Sequence, residues 1–296
     1  MMRRGRILAI FSGRGPDPVN NKRGRTRHMR PTSSIFAAAA FGLGTLLASG
    51  AQAAQCGNDG SGFSAWVEDF KAEAQSRGVS ARVAEAALSG VAYDRSLIAY
   101  DRTQRPFKLS LEQFIAKRAP NSLITQAKAR WAKNRALFDR VEAKYGVEAP
   151  VILAIWGMET AFGAIQGKKN VFNGLATLAY DCRRTDKFQA ELIAAMQLVD
   201  KGQLSMSEMR GAEHGEIGQG QFLPTSYQKF AVDGDGDGRS DMVRSSADTI
   251  ASIANYLRQH GWQRGGGFDQ YGALAGWNSS SVYQKAIAYA ANKIAE

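Results

Sequence analysis

Hydrophobic positions recur at helical spacing through most of the chain. From residue 63 to residue 70 apolar side chains fall at intervals of three and four, and Gly78 ends the pattern. The same spacing predicts further helices at 81–88, 111–117, 122–145, 185–200, 247–260 and 279–295. Residues 91–109 predict irregular structure, and strand signals are sparse. Glycines and turn residues are frequent between 211 and 241. We therefore expect a mostly α fold with a small β-hairpin.

One apolar stretch, 151–158, begins after Pro150 and is hydrophobic on nearly every side, which predicts a helix buried in the core. Glu159 ends it, with Ile155 and Trp156 one turn back on the same face. Burial disfavours an ionised carboxylate, so it raises the pKa and keeps a proton available for a leaving oxygen. Glu159 is the candidate catalytic acid. The alternative is a carboxylate that accepts backbone N–H groups near a helix end.

A second motif is the acidic, glycine-rich run DGDGDGRSD, which has the form of the first half of an EF-hand calcium loop. Oxygen ligands at alternate positions suit a hard cation such as Ca²⁺. Position twelve holds Arg244 where such loops have glutamate, and Asp248 is the candidate replacement. An acidic surface turn is the alternative. The expected ligands are Asp233, Asp235, Asp237, Arg239 (through its carbonyl), Asp241 and Asp248.

The net charge of +11 is concentrated near the N-terminus. Residues 1–30 contain nine basic side chains and one acidic one, a net +8, and the rest of the chain carries about +3. We therefore expect no nucleic-acid partner, although the total charge alone favours one. The composition, 44% hydrophobic and 22% charged, is that of a globular protein and excludes a disordered acidic chain and a multi-span membrane protein.

Residues 31–53 carry no charge and contain the apolar run 35–47, followed by the cleavage pattern Ala51-Gln52-Ala53. This order predicts a secretory signal peptide over 1–53 and a periplasmic location. A membrane anchor is the alternative, but the run is short for a bilayer, so we expect no membrane span in the mature protein. Met29 is a candidate true start, which would make 1–28 an over-called extension. We expect a flexible lead-in over 54–62 and the catalytic domain over 63–296.

The chain has two cysteines, Cys56 and Cys182. An oxidising compartment permits a disulfide between them, and two free thiols are the alternative. A bridge that closes so long a loop would contribute roughly 4–5 kcal/mol in the chain-entropy model.

Five segments resemble the lytic murein transglycosylase B family, the lysozyme-like enzymes of bacterial cell-wall turnover. They are YGVEAPVILAIWGMETAFG, LATLAYDCRRTDKF, GQGQFLPTSYQKFAVDGDGDG, DTIASIANYLRQHGW and GWNSSSVYQKAI. The resemblance runs from Phe63 to the C-terminus and is strongest over 145–283. It implies an α+β lysozyme-like fold with an EF-hand-like calcium loop, no organic cofactor, and a monomer that acts on peptidoglycan glycan strands.

The resemblance also implies roles for individual residues. Glu159 corresponds to the family's sole catalytic acid, which cleaves the bond between N-acetylmuramic acid and N-acetylglucosamine and leaves a 1,6-anhydro end. The implied substrate-binding residues are Gln221, Tyr256, Asn278, Tyr283 and Arg184. The residues alone leave two of these roles open, since Asn278 could cap the last helix and its neighbour Trp277 could be core or a sugar-stacking platform.

Two positions depart from the family pattern. Ala212 stands where the family usually has serine, and Glu216 replaces a small residue nearby, so the fine positioning of Glu159 is in question. A hydrolytic muramidase and a non-catalytic, calcium-braced wall-binding protein are the alternative functions.

Overall fold

The computed structural model describes residues 55–103 and 109–296. The predicted signal peptide and the candidate start Met29 lie outside these residues. The described part of the chain forms thirteen α-helices, one short 3₁₀ turn and one two-stranded sheet. This confirms the expectation of a mostly α fold with a small β component.

The elements follow one another with short connections. The first six helices are α1 (Phe63–Ser76), α2 (Ala81–Leu88), α3 (Arg95–Thr103), α4 (Leu111–Arg118), α5 (Asn121–Lys133) and α6 (Arg135–Tyr145). The others are α7 (Ala149–Thr160), α8 (Val171–Tyr180), α9 (Thr185–Asp200), α10 (Pro224–Phe230), α11 (Ser246–Gln259), α12 (Tyr271–Trp277) and α13 (Ser281–Ala295). Strands β1 (Lys169–Asn170) and β2 (Arg210–Gly211) pair antiparallel.

Two elements differ from the sequence prediction. Helix α3 occupies part of the stretch that predicted irregular structure, and Asp94 caps it by accepting hydrogen bonds from the backbone N–H groups of Ser96 and Leu97. The single helix predicted over 122–145 is two helices, α5 and α6. They meet at Asn134, whose backbone (φ −116°, ψ 30°) leaves the helical region although the apolar spacing continues.

Helix α7 is the centre of one of two groups of helices. All twelve of its residues are buried, as the uninterrupted apolar stretch predicted, and α5, α6, α11 and α13 pack around it. Pro150 lies in its first turn, where a missing backbone N–H costs no helical hydrogen bond. Because other helices surround α7, the side chain at its C-terminal end is removed from bulk water.

A second group of helices forms around the pair α8 and α9, with α1, α2 and α10 against them. Cys56 and Cys182 form a disulfide, and the backbone N–H of Gly57 donates to Tyr180 O at 2.9 Å. The start of the described chain is therefore attached to the end of α8. The longest described helix, α9, has 16 residues, and none of the described helices is both long and apolar enough to cross a bilayer.

Candidate active site

Glu159 lies in the last turn of α7, with 4% of its surface exposed. The helix ends sharply because Ala161 and Phe162 both adopt left-handed backbone conformations, with φ of 51° and 60°. The Thr160 hydroxyl donates to Gln219 O at 2.6 Å and accepts from Gly163 N at 2.9 Å. These bonds fix the helix end against the glycine-rich loop and hold the Glu159 side chain in one place.

Two donors from distant elements reach the same oxygen of Glu159. Trp277 Nε1, at the end of α12, donates to Oε1 at 3.0 Å. The hydroxyl of Tyr283, in the first turn of α13, donates a short hydrogen bond to Oε1 as well. No described side chain donates to Oε2. When the acid is protonated, this arrangement leaves Oε1 as the acceptor and Oε2 as the oxygen that carries the proton.

Burial is the main cause that raises the pKa of Glu159 above its usual value of 4.5. The positive charge of Arg118 and the two hydrogen bonds oppose this effect, and the negative charge of Glu216 adds to it. The net direction is upward, so the carboxyl group holds its proton at a higher pH than an exposed glutamate does. A raised pKa is what a general acid needs near neutral pH.

A cleft of about 260 Å³ opens beside Glu159, between the end of α7 and helices α4 and α5. Its apolar wall includes Phe162 and Ile165, and Ile165 is 50% exposed. Lys117 and Arg118 line it from α4. Among the described lining residues Glu159 is the one carboxylate. The cleft thus combines an apolar face, positive charge and a single acid.

Among the predicted substrate-binding residues, Tyr283 and Tyr256 lie at or behind the acid. Tyr283 contacts Glu159 directly. The Tyr256 hydroxyl donates to Gly276 O at 2.6 Å, and its ring lies 5.1 Å from the ring of Trp277, centroid to centroid. Burial raises the pKa of Tyr256 to about 12, so its hydroxyl keeps its proton. Tyr256 therefore supports Trp277.

The other three predicted residues make their described contacts elsewhere. Gln221 is 1% exposed, and its amide donates to Gly218 O at 2.8 Å and to Gln166 O at 3.1 Å. Asn278 is the residue after α12 and accepts from Ser280 N at 2.9 Å through Oδ1; Ser280 itself is the residue before α13. Arg184 pairs with Asp101 of α3.

The two departures from the family pattern lie in the loop between β2 and α10. Ala212 donates its backbone N–H to Glu216 O at 3.0 Å. Glu216 is fully buried; its Oε2 accepts from His214 N at 3.1 Å, and its Oε1 has no hydrogen-bond partner among the described residues. Its negative charge is one of the causes that raise the pKa of Glu159.

The predicted calcium loop brings three of the expected ligands together. Carboxylate oxygens of Asp233, Asp235 and Asp248 lie within 4.8 Å of one another. Asp248 is fully buried, and burial, followed by the charges of Asp235 and Asp233, raises its pKa. Carboxylate oxygens are ligands that hard divalent cations prefer. Three carboxylates this close repel one another, and a bound cation would offset that repulsion.

The other two expected carboxylates, those of Asp237 and Asp241, are not part of this cluster. Asp237 Oδ1 accepts from the backbone N–H of Arg239 at 2.8 Å. Asp241 forms an ion pair with Arg244, and Arg244 also pairs with Glu208 at 3.2 Å. The basic residue at position twelve thus holds Asp241, and Asp248 supplies the third carboxylate from the first turn of α11.

Sequence reasoning missed two contributors to the site. Trp277 is a core residue with 3% of its surface exposed, one of the two alternatives left open by the sequence, and its indole N–H also donates to Glu159 across 118 residues of sequence. Arg118 carried no motif signal, and it enters the site because α4 ends beside α7. For both, the relevant contact is tertiary, so local patterns do not report it.

The helical fold, with one buried acid at the end of a central helix beside a cleft, defines a lysozyme-like protein. A family model described as Transglycosylase SLT domain matches residues 62–271. The chain belongs to this family, which confirms the resemblance seen in the sequence motifs.

Known relatives agree. The chain is 35% identical over 146 residues to the membrane-bound lytic murein transglycosylase B of Escherichia coli K12, a match that covers 49% of this chain and 39% of the relative. Pseudomonas aeruginosa SltB3, solved with NAG-NAM-pentapeptide, is 28% identical, with a TM-score of 0.75 and 80% of each chain covered. Escherichia coli Slt35, solved with calcium, shares the fold at 22% identity and a TM-score of 0.69, with 82% of this chain and 96% of Slt35 covered.

Proposed function

We propose that this protein is a periplasmic lytic transglycosylase of peptidoglycan, with Glu159 as its single acid and base. It cleaves the β-1,4 bond between N-acetylmuramic acid and N-acetylglucosamine and leaves 1,6-anhydro ends. The observation that carries the proposal is the environment of Glu159: burial raises its pKa above the usual value, and two donors on Oε1 leave Oε2 for the substrate. SltB3, which shares the fold, was solved with muropeptides.

In the first step Oε2 of Glu159 donates its proton to the glycosidic oxygen, and the bond from that oxygen to C1 of the muramic residue breaks. Positive charge develops at C1, helped by the substrate's own N-acetyl group. Tyr283 and Trp277 then stabilise the new carboxylate through their hydrogen bonds to Oε1, because bonds to a charged acceptor are stronger than bonds to a neutral one.

In the second step the Glu159 carboxylate takes the proton of the C6 hydroxyl, and the C6 oxygen forms a bond to C1. The attacking group belongs to the substrate, so the reaction needs no bound water and gains from intramolecular proximity. The cleft supports this course. A two-carboxylate hydrolase needs a second acid about 5–10 Å away, and Glu159 is the one carboxylate among the described lining residues.

Roles for the remaining residues follow as predictions. Tyr256 supports Trp277 and thereby the hydrogen bond to Glu159. Substrate contacts by Gln221, Asn278 and Arg184 stay predictions, as do the signal peptide, the flexible lead-in and the monomeric state.

Calcium belongs to the same proposal, as a structural ion. The relative Slt35 was solved with calcium, and here Asp233, Asp235 and Asp248 would hold the ion. When bound, it would offset the repulsion among the three carboxylates and join the loop after α10 to the first turn of α11. That loop follows the segment carrying Gln221, so the ion would brace one side of the site.

The composition of the products tests the proposed reaction. Purified sacculi are digested in water labelled with heavy oxygen, and the muropeptides are weighed by mass spectrometry. The proposal predicts anhydro ends that are one water lighter than reducing ends and carry no label. Labelled reducing ends would establish a muramidase instead, and the absence of soluble products would favour a wall-binding protein.

A further inference from the structure

Arg118 is the last residue of α4, and its guanidinium group lies beside the catalytic acid. Its Nη2 donates to the backbone carbonyl of Met158 at 2.7 Å, one residue before Glu159. Arg118 and Glu159 line the same cleft. The arginine is half-buried, so its charge is only partly screened by water.

Tyr283 contacts the acid and is also influenced by the arginine. Its hydroxyl donates to Glu159 Oε1, and the positive charge of Arg118 opposes the rise that burial causes in the pKa of Tyr283. The three side chains come from three helices, α4, α7 and α13. A cation close to a carboxyl group favours its ionised form.

A single acid that serves as both acid and base must be stable in two states. Glu159 must be protonated before the bond breaks and ionised afterwards, yet burial makes the ionised state costly. The groups that act on it are Arg118 from α4, Tyr283 from α13, Trp277 from α12 and Glu216 from the loop after β2. Among these Arg118 carries the positive charge, and Glu216 opposes it.

We propose that Arg118, fixed to the end of α7 by its hydrogen bond to Met158 O, is a positioning residue that stabilises the Glu159 carboxylate between its two proton transfers. The inference rests on the proposed transglycosylase function, since only an acid that becomes a base needs both states. Arg118 thereby supplies electrostatic support from a neighbouring helix. An enzyme that divides the acid and base roles between two carboxylates would not need this support.

The test separates the charge of Arg118 from its hydrogen bond. Arg118→Gln keeps a donor for Met158 O and removes the charge, whereas Arg118→Lys keeps the charge. Because Arg118 lowers the pKa of Glu159, its removal raises that pKa, and the active protonated form persists to higher pH. We expect kcat of Arg118→Gln to fall by about tenfold or more with KM little changed. The alkaline limb of its pH–activity profile should move to higher pH.

Controls and a direct titration make the outcome decisive. Arg118→Lys should keep the alkaline limb of the wild type, as should Lys128→Gln, which removes an exposed cation of α5 outside the cleft. NMR titration of the Glu159 carboxyl carbon in the substrate-free protein gives the same comparison without turnover. If Arg118→Gln does not fold, a folded Arg118→Lys with a shifted limb overturns the proposal.

An Arg118→Gln variant that folds and loses activity without any shift of the limb or of the titration would leave Arg118 a merely structural role and refute the inference. Wild-type activity in that variant would refute it too. Failure of the proposed function is a different result, because it shows in the wild-type products as labelled reducing ends.

Discussion

The surroundings of Glu159 have two opposing effects on its pKa. Burial at the end of α7 raises its pKa, and Arg118, Tyr283 and Trp277 limit the rise by stabilising the ionised form. A carboxyl group balanced in this way can give up a proton and take one back within a single turnover. The same burial has a cost in stability, because the folded protein disfavours the charged state that an unfolded chain would adopt in water.

Because of that cost, we predict that Glu159→Gln becomes more stable than the wild type as the pH rises. Below pH 4.5 the acid is neutral in both the folded and the unfolded chain, and the variant should match the wild type in thermal stability. As pH rises from 4.5 through the raised pKa of the folded state, the wild type loses stability that the variant keeps. The Tm difference, measured by calorimetry across this range, should therefore widen with pH. A constant difference would show that the pKa is not raised.

Tyr283→Phe removes one of the two hydrogen bonds to Oε1 while keeping the ring. A hydrogen bond to a charged group contributes about 1.5–3 kcal/mol, so we expect kcat to fall about ten- to a hundredfold. The initial rate of turbidity loss on sacculi measures this. Tyr289→Phe, an exposed tyrosine of the same helix, is the matched control and should retain the wild-type rate. Equal rates for the two variants would remove Tyr283 from the mechanism.

The sequence predicted the burial of Glu159, the proposed acid, but did not reveal all of its hydrogen-bond partners. Glu159 could be predicted because its helix and its apolar face are local in sequence. Its partner Trp277 lies 118 residues away, and the packing of α12 on α11 and α13 brings its indole N–H to the carboxylate. Arg118 is similar, since its role depends on where α4 ends.

At the scale of elements, the site is assembled from the ends of helices. α7 contributes the acid, α4 and α13 contribute Arg118 and Tyr283, and the loop before α10 is fixed to α7 by the bond from Thr160 to Gln219. The aspartate loop follows α10 and ends in the first turn of α11, which packs on α7. A cation in that loop would therefore stabilise an element that borders the catalytic helix.

Calcium should raise the Tm of the protein, and the rise should vanish in Asp235→Ala and Asp248→Asn. A ligand that binds the folded state stabilises it by mass action, by about 2.7 kcal/mol at a hundredfold excess over Kd. Asp139→Asn, an exposed aspartate of α6 outside the loop, is the control and should keep the shift. The calcium assignment is withdrawn if the Tm of the wild type does not respond to the ion.

Element boundaries show where periodicity succeeds and where it fails. The fully buried helix α7 was predictable because a continuous apolar run has one simple interpretation. Helix α3 was not, because one of its buried positions, Asp101, is charged. It is buried through ion pairs with Arg183 and Arg184 and a hydrogen bond with His214. The break at Asn134 was also invisible, because the apolar spacing of α5 continues into α6.

At the scale of the whole molecule, the charge divides the chain. About +8 of the net +11 lies in residues 1–30, ahead of the apolar run and its cleavage pattern, so the domain that carries the site has a mild charge of about +3. A weakly basic domain with a cationic cleft wall suits an anionic wall polymer. The disulfide between Cys56 and Cys182 is consistent with an oxidising compartment outside the cytoplasm.

The signal-peptide interpretation predicts a defined mature N-terminus. Protein recovered from the periplasm should begin at Ala54, because Ala51 and Ala53 have the small-residue pattern of a cleavage site. Intact-mass measurement and N-terminal sequencing read this directly. A variant with Ala53→Arg should retain the leader. Recovery of an uncleaved wild-type chain would contradict the signal-peptide interpretation.

Release of muropeptides by Glu159→Gln is the most direct measurement of the central claim. The variant is compared with the wild type and with Glu112→Gln, an exposed glutamate of α4, on purified sacculi, with folding verified by Tm. We predict that the wild type and Glu112→Gln release anhydro-muropeptides at the same rate, and that folded Glu159→Gln releases none above background. Release by Glu159→Gln at the wild-type rate would contradict the assignment of Glu159 as the acid.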